Sequence, residues 1–275
     1  MKINLWGVRG SLPTTGQETV VFGGNTSCTS VSGNGWLLVL DGGSGIHKLT
    51  ADKDTKRIDI LLTHLHIDHI QGLGFFQPLF DPSMEIHIWG HASSKRSLHA
   101  RLSRYLSPPL FPVLIRDLPC KLEFHELENS SVQIGPFAVQ SSYIIHPGPT
   151  IGFRVTHHHS AFTYLPDHEP ALGKDGMIPD ARWVSGIDIA RDADLLLHDA
   201  QYTTEEYQTR KGWGHSSMKH AGNFAAMAGV KRLLLAHHDP SHTDAQLVEM
   251  LSAFHHENNY SFKAELAKEG MEIIL

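Results

Sequence analysis

Short apolar runs, each closed by a polar or glycine-containing turn, recur along the whole chain. They cover residues 2–8, 36–41, 58–63, 86–90, 132–145, 151–156, 161–165, 194–198 and 231–236, and their brevity and turn boundaries predict strands. Three longer stretches, 94–105, 217–228 and 244–257, read instead as helices. Strands dominate the first half, joined by turns such as Gly33-Asn34-Gly35, and the longer helices fall in the second half. That order predicts an α/β chain in which two sheets pack between helices.

The chemistry begins where the third of these runs ends. Leu61-Leu62-Thr63 is followed by His64-Leu65-His66-Ile67-Asp68-His69, a His-x-His-x-Asp-His motif with four metal-competent side chains in six positions. A strand that stops at Thr63 leaves these residues in a tight loop where imidazoles and a carboxylate can converge. Nitrogen and oxygen donors without thiolate suit Zn²⁺, and Mn²⁺ or Fe²⁺ are also compatible. Three further donors close apolar runs elsewhere and so gather with loops at a sheet edge. His146 ends Tyr143-Ile144-Ile145 before the Pro147-Gly148 turn, Asp199 ends Leu195-Leu196-Leu197-His198, and His237 ends Leu233-Leu234-Leu235-Ala236. Gly214-His215-Ser216-Ser217 precedes the second predicted helix. A serine there caps the first turn, and the helix terminus beside His215 favours an anion.

These residues resemble the metallo-β-lactamase fold, a four-layer αββα sandwich of two mixed β-sheets flanked by helices. The resemblance implies that His64, His66 and His146 hold one divalent ion, that Asp68, His69 and His237 hold a second, and that Asp199 bridges them. Trp6-Gly7-Val8-Arg9-Gly10-Ser11, Gly23-Gly24-Asn25-Thr26-Ser27-Cys28, Leu40-Asp41-Gly42-Gly43-Ser44-Gly45 and the Gly214-His215-Ser216-Ser217 motif are similar to the branch related to ribonuclease Z. In that branch a histidine at the position of His215 contacts the scissile phosphate. The resemblance extends to cyclic-nucleotide-degrading members of the anti-Pycsar type. It implies a phosphodiesterase in which a metal-bridging hydroxide attacks phosphorus, with Asp68 orienting the nucleophile and His215 neutralising charge on the phosphate.

Composition narrows the partners. The formal net charge of -6 argues against a large nucleic-acid footprint, which needs clustered Lys and Arg. The basic pieces, Lys53 to Arg57, Lys95-Arg96 with Arg101 and Arg104, and Arg210-Lys211, read as solvated faces. No long Gly/Pro/basic insertion supplies the protruding tRNA-binding arm of ribonuclease Z. A small phosphodiester, above all a cyclic nucleotide, is therefore the expected substrate. Maturation of tRNA 3′ ends, hydrolysis of a lactam, thioester or lactone, and non-catalytic metal sensing are the alternatives. The ligands span positions 64 to 237, so residues 1–275 are expected to form one domain. Cys28 and Cys120 give no disulfide framework, and no long apolar segment marks a secretion signal or a membrane span, so the expected location is the cytoplasm.

Three segments add lesser expectations. Ser107-Pro108-Pro109-Leu110-Phe111-Pro112-Val113 reads either as a lid or homodimer contact beside the site or as a segment packed on its own core. His157-His158-His159 reads as a surface strand end rather than a metal cluster, because consecutive strand residues face opposite ways. Asp167, after the Ala161 to Leu165 run, and Asp41 are expected to sit behind the ligands, bonding the free ring nitrogen of a metal-binding histidine or shaping a turn.

Overall fold

A computed structural model describes residues 1–275 and resolves the apolar runs into fourteen strands. The first half supplies β1 (Lys2–Gly7), β2 (Cys28–Gly33), β3 (Trp36–Leu40), β4 (Arg57–Leu61), β5 (Glu85–His91) and β6 (Lys121–Leu127). The second half supplies β7 (Ser130–Ile134), β8 (Phe137–Tyr143), β9 (Ile151–His157), β10 (Ser160–Leu165), β11 (Leu195–Asp199), β12 (Arg232–Ala236) and β13 (Lys263–Leu266). The last strand, β14 (Glu272–Ile274), returns to pair with β1. Two mixed sheets of seven strands result, ordered β14-β1-β2-β3-β4-β5-β6 and β13-β12-β11-β10-β9-β8-β7. In each sheet an antiparallel part gives way to a parallel part, at β3–β4 in the first and at β10–β11 in the second.

The helices are α1 (Ile67–Ile70), α2 (Leu98–Leu102), α3 (Ile187–Ala190), α4 (Thr204–Thr209), α5 (Met218–Ala228) and α6 (Asp244–Glu257). Three apolar clusters define the layers. Residues such as Leu40, Phe137, Phe153 and Phe162 fill the space between the sheets. Phe224, Leu247 and Leu196 join the second sheet to α5 and α6, and Ile58, Ile60, Ile86 and Leu98 cover the outer face of the first sheet under α1 and α2. The architecture is the four-layer αββα sandwich. No helix is long and apolar enough to cross a membrane.

Local chemistry explains most boundaries. The central strand β11 is buried at every position, as expected for a strand with both faces covered, while β8 alternates buried and exposed over Phe137–Gln140. The Ser217 side chain accepts the His220 amide at the start of α5, and Gly229 closes that helix in the left-handed region at φ 69°. Thr243 and Gln246 form a capping box at α6. The predicted run 132–145 is instead the hairpin β7–β8, because Gly135, at φ 53°, turns the chain between them. The predicted helix 94–105 narrows to α2 behind the Ser97 cap. Strands β2, β6, β13 and β14 fall outside the predicted runs. Within 107–113, Phe111 is buried against Phe75, with ring centroids 5.9 Å apart, while Leu110 stays exposed. His157 closes β9 and is buried against Phe137 rather than on the surface, whereas His158 and His159 form the exposed turn into β10.

Candidate metal centre

The parallel strands β3, β4, β10, β11 and β12 end at one edge, and β8 points the same way. The loops leaving these strands build the site. The His-x-His-x-Asp-His loop leaves β4 and turns into α1, whose first residues include Asp68 and His69. His146 follows β8 and His237 follows β12. Asp41, after β3, and His237 adopt left-handed backbone conformations at φ 60° and 58°, uncommon for residues with a side chain and concentrated at functional sites. Gly10 permits the approach of His237: a Cβ at that position would lie 2.4 Å from the imidazole.

Two groups of donors face each other. His64, His66 and His146 form the first, with ligating atoms within 4.8 Å of one another, and His146 Nε2 lies 3.1 Å from His66 Nδ1. Asp68, His69, His237 and Asp167 form the second. Asp167 lies between the groups. Its Oδ1 is 2.9 Å from His69 Nε2 and 3.2 Å from His237 Nε2, while its Oδ2 is 3.7 Å from His146 Nε2 and 3.9 Å from His64 Nε2. All of these side chains are buried except His66, which stands exposed at the mouth.

The position expected for Asp199 is thus taken by Asp167. Asp199 is fully buried one strand over, and its carboxylate is saturated by other donors. Oδ1 accepts the Gln201 and Ser216 amides at 3.1 and 3.0 Å, and Oδ2 accepts His215 Nδ1 at 2.7 Å and the His168 amide at 3.3 Å. A carboxylate offers about four lone-pair directions, so little of Asp199 is left for an ion, although it lies within reach of His237. Asp167, expected to stand behind the ligands or shape a turn, has a buried Oδ1 with no hydrogen-bond partner. The signal for it was present in the sequence, since Pro166-Asp167 closes the β10 run as His198-Asp199 closes β11.

The backing interactions fix ring orientations. Asp41 Oδ2 accepts His69 Nδ1–H at 2.8 Å while its Oδ1 accepts the Thr63 amide and hydroxyl, which turns His69 Nε2 toward the centre. The Gly214 carbonyl accepts His146 Nδ1 at 2.8 Å. The Ser11 amide donates to Asp68 Oδ2 at 2.8 Å. Glu169, missed at the sequence level, accepts Tyr207 Oη and the Gly212 and Gly214 amides, each at 2.8 Å, and so shapes the loop that carries His215.

The electrostatics divide along the same line. Burial holds His64 and His146 below the ordinary imidazole range. Burial also works against protonation of His69 and His237, but the carboxylates of Asp167 and Asp68 outweigh it, and His237 is raised to about 9. The field that keeps protons on these two rings equally favours a divalent cation in their place. His64 Nε2, His69 Nε2 and Asp167 Oδ1 are buried without hydrogen-bond partners, and buried polar atoms rarely stay unpaired. His69 Nε2 and Asp167 Oδ1 come close without hydrogen-bond geometry, as donors aimed at a common third point would. The residues therefore fit divalent ions.

Residues 41–238 match the Beta-lactamase superfamily domain. The chain belongs to the beta-lactamase superfamily. Members of this metal-dependent hydrolase superfamily bind divalent ions, usually two, and the chain is a hydrolytic enzyme. Ribonuclease Z of Myxococcus xanthus is 26% identical over 295 aligned residues, which cover 91% of this chain and 92% of that protein. Among solved structures, the metallo-beta-lactamase fold protein YhfI from Bacillus subtilis superposes with a TM-score of 0.71 at 20% identity, covering 99% of this chain and 98% of that one. The short form of human tRNase Z gives 0.69 at 21% identity, with 100% and 99% covered. At these identities the structural matches show the superfamily fold.

Proposed function

We propose that the chain is a phosphodiesterase acting on a small phosphodiester, with a cyclic nucleotide as its leading substrate class. His64, His66 and His146 would hold one divalent ion and Asp68, His69 and His237 another, with Asp167 between them; zinc suits this donor set. When bound, such ions supply an activated water at neutral pH and neutralise charge on phosphoryl oxygens.

The observation that carries the reading is the placement of His215. Its ring lies beside both donor groups, 4.9 Å from the His237 ring and 5.0 Å from the His146 ring by centroid. It also sits just before the capped N-terminus of α5. Asp199 accepts its Nδ1–H, which fixes the tautomer and leaves Nε2 for the cleft. In hydrolysis a P–O bond to water forms as the ester P–O bond breaks. From Nε2, His215 serves a phosphoryl oxygen or the departing alkoxide as hydrogen-bond or proton donor, and Asp199 holds the ring in line. Asp68, braced by the Ser11 amide, orients the attacking water. A lactam or thioester offers no phosphate for this imidazole to meet.

The net charge of -6 supports a small substrate over a nucleic acid. The free, buried Cys28 and Cys120 support a reducing location such as the cytoplasm. A second reading, a tRNA 3′-end endonuclease, is favoured by the Myxococcus xanthus relative, which is named Ribonuclease Z and aligns over nearly its full length. A panel of bis-p-nitrophenyl phosphate, cyclic nucleotides, a precursor tRNA and nitrocefin separates the readings. Turnover of the first two is expected. Cleavage of the precursor tRNA with cyclic nucleotides untouched would replace the first reading by the second, and turnover of nitrocefin alone would remove both.

A further inference from the structure

A second group of metal-competent side chains lies away from the superfamily centre, on the inner face of the first sheet. Parallel pairing sets His87 of β5 opposite Glu123 of β6, and Trp89 opposite His125. Alternation along a strand puts all four on one face. The same register continues to Arg57 and Asp59 of β4, paired with Glu85 and His87. Trp89 and His125 stand level with Leu61, the last residue of β4, so the group is set apart from the His64 loop by its place across the sheet, on β5 and the edge strand β6. Histidine Nδ1 and Nε2 and carboxylate oxygens of His87, His125 and Glu123 lie within 4.8 Å of one another.

We propose that His87, His125 and Glu123 form a separate binding site for a divalent transition ion that takes imidazole, such as Zn²⁺. The site is preorganised beyond its three donors. Glu85 Oε1 accepts His87 Nε2–H at 2.7 Å, the carboxylate–histidine arrangement that fixes a metal-binding tautomer and raises its basicity. In neutral His87 the lone pair is then on Nδ1, which lies 2.7 Å from His125 Nε2. The His125 ring stacks on Trp89 with centroids 3.9 Å apart. Trp89 is itself fixed by donation of Nε1–H to Asp59 Oδ1 at 2.9 Å, and Arg57 holds Asp59. Two imidazole nitrogens on one tetrahedral ion at the usual bond length are about 3.3 Å apart, so the rings need to part only slightly. The Nε2 proton of His125 moves to Nδ1 in the process. Glu123 Oε2, 3.9 Å from His87 Nδ1, supplies the third donor, and solvent completes the shell.

One residue competes for the site. Lys121 bridges Glu123 at 3.0 Å and Glu85 at 3.3 Å. It is 61% exposed and free to swing away. An ion here would staple β6, the edge strand, to β5. This site is independent of the proposed phosphodiesterase activity.

Zinc titration in the presence of a weak competing chelator, with bound metal counted per chain by mass spectrometry, tests the proposal. The wild-type protein is expected to hold about one equivalent more than the His125→Ala variant. Asp167→Ala, which disturbs the other centre, is expected to retain that equivalent. Lys121→Met should bind it more tightly, and Glu123→Gln about tenfold more weakly. Zinc should also raise the unfolding temperature of Asp167→Ala more than that of an Asp167→Ala/His125→Ala double variant. Because His87 is buried, His125 and Glu123 are the positions to change, with circular dichroism confirming the fold. Equal zinc in wild type and folded His125→Ala throughout the titration would overturn the site.

Discussion

The tips of β10 and β11 lie side by side in the second sheet, and a buried aspartate stands just past the first and at the end of the second, yet the two carboxylates live in different company. Asp199 accepts from two backbone amides of its own loops, from the His168 amide and from His215. Asp167 faces four imidazoles from three separate segments, and its Oδ1 has no hydrogen-bond partner. Burying an ionised carboxylate is costly unless it is paired. Asp199 meets that requirement with the protein's own N–H groups and becomes a strut for His215. Asp167 lacks such donors and is left to be satisfied by cations. Equal burial and similar sequence context therefore conceal opposite roles, and the supply of nearby amide donors separates them.

The widest separation is expected from Asp167→Asn, an isosteric loss of charge at the centre. It should release at least about one equivalent of divalent metal and abolish phosphodiester turnover, read by elemental analysis beside a bis-p-nitrophenyl phosphate assay. Full metal content in that variant would erase the distinction from Asp199. His215→Ala comes next, with metal retained and kcat lowered by about 10²–10³-fold. An unchanged rate would take the imidazole out of the reaction. Asp199→Asn, which keeps the shape but loosens the His215 ring, should also retain both ions while losing about 10–100-fold in kcat; loss of metal equal to that of Asp167→Asn would show that both aspartates are ligands.

The smallest effect sharpens the picture one layer further out. Glu169→Gln turns an amide group toward one of three donors now bonded to the carboxylate. A cost of about 1–3 kcal/mol in stability is expected, measured by denaturant unfolding of the metal-loaded protein, with turnover reduced less than in Asp199→Asn. A stability equal to wild type would mean that the 212–215 loop holds its shape without Glu169.

The sequence made the His-x-His-x-Asp-His loop legible because its four donors are neighbours in the chain, and a strand end followed by a tight turn suffices to bring them together. His146 and His237 were legible for a related reason. Each follows an apolar run at the edge where parallel strands end, and the structure sets them beside that loop. The cap of α5 was also readable, being made by a serine three residues before the amide it holds. Less was legible at the margins. Strands β6 and β13 include exposed or half-buried polar residues, and β14 is three residues long, so their apolar signal is weak. The hairpin within 132–145 was hidden because a glycine interrupts two runs of similar character.

By itself, then, the sequence determined the two-sheet αββα architecture, the donor types and most of the residues gathered at the site, since these follow from apolar runs and from chemistry local to a turn. Tertiary structure alone decided which aspartate stands between the imidazoles. A carboxylate closing either of these parallel strands arrives at the same sheet edge, but whether it meets amides or open imidazoles depends on segments that fold back from farther along the chain: His168 and Ser216 at Asp199, and His69 and His237 at Asp167.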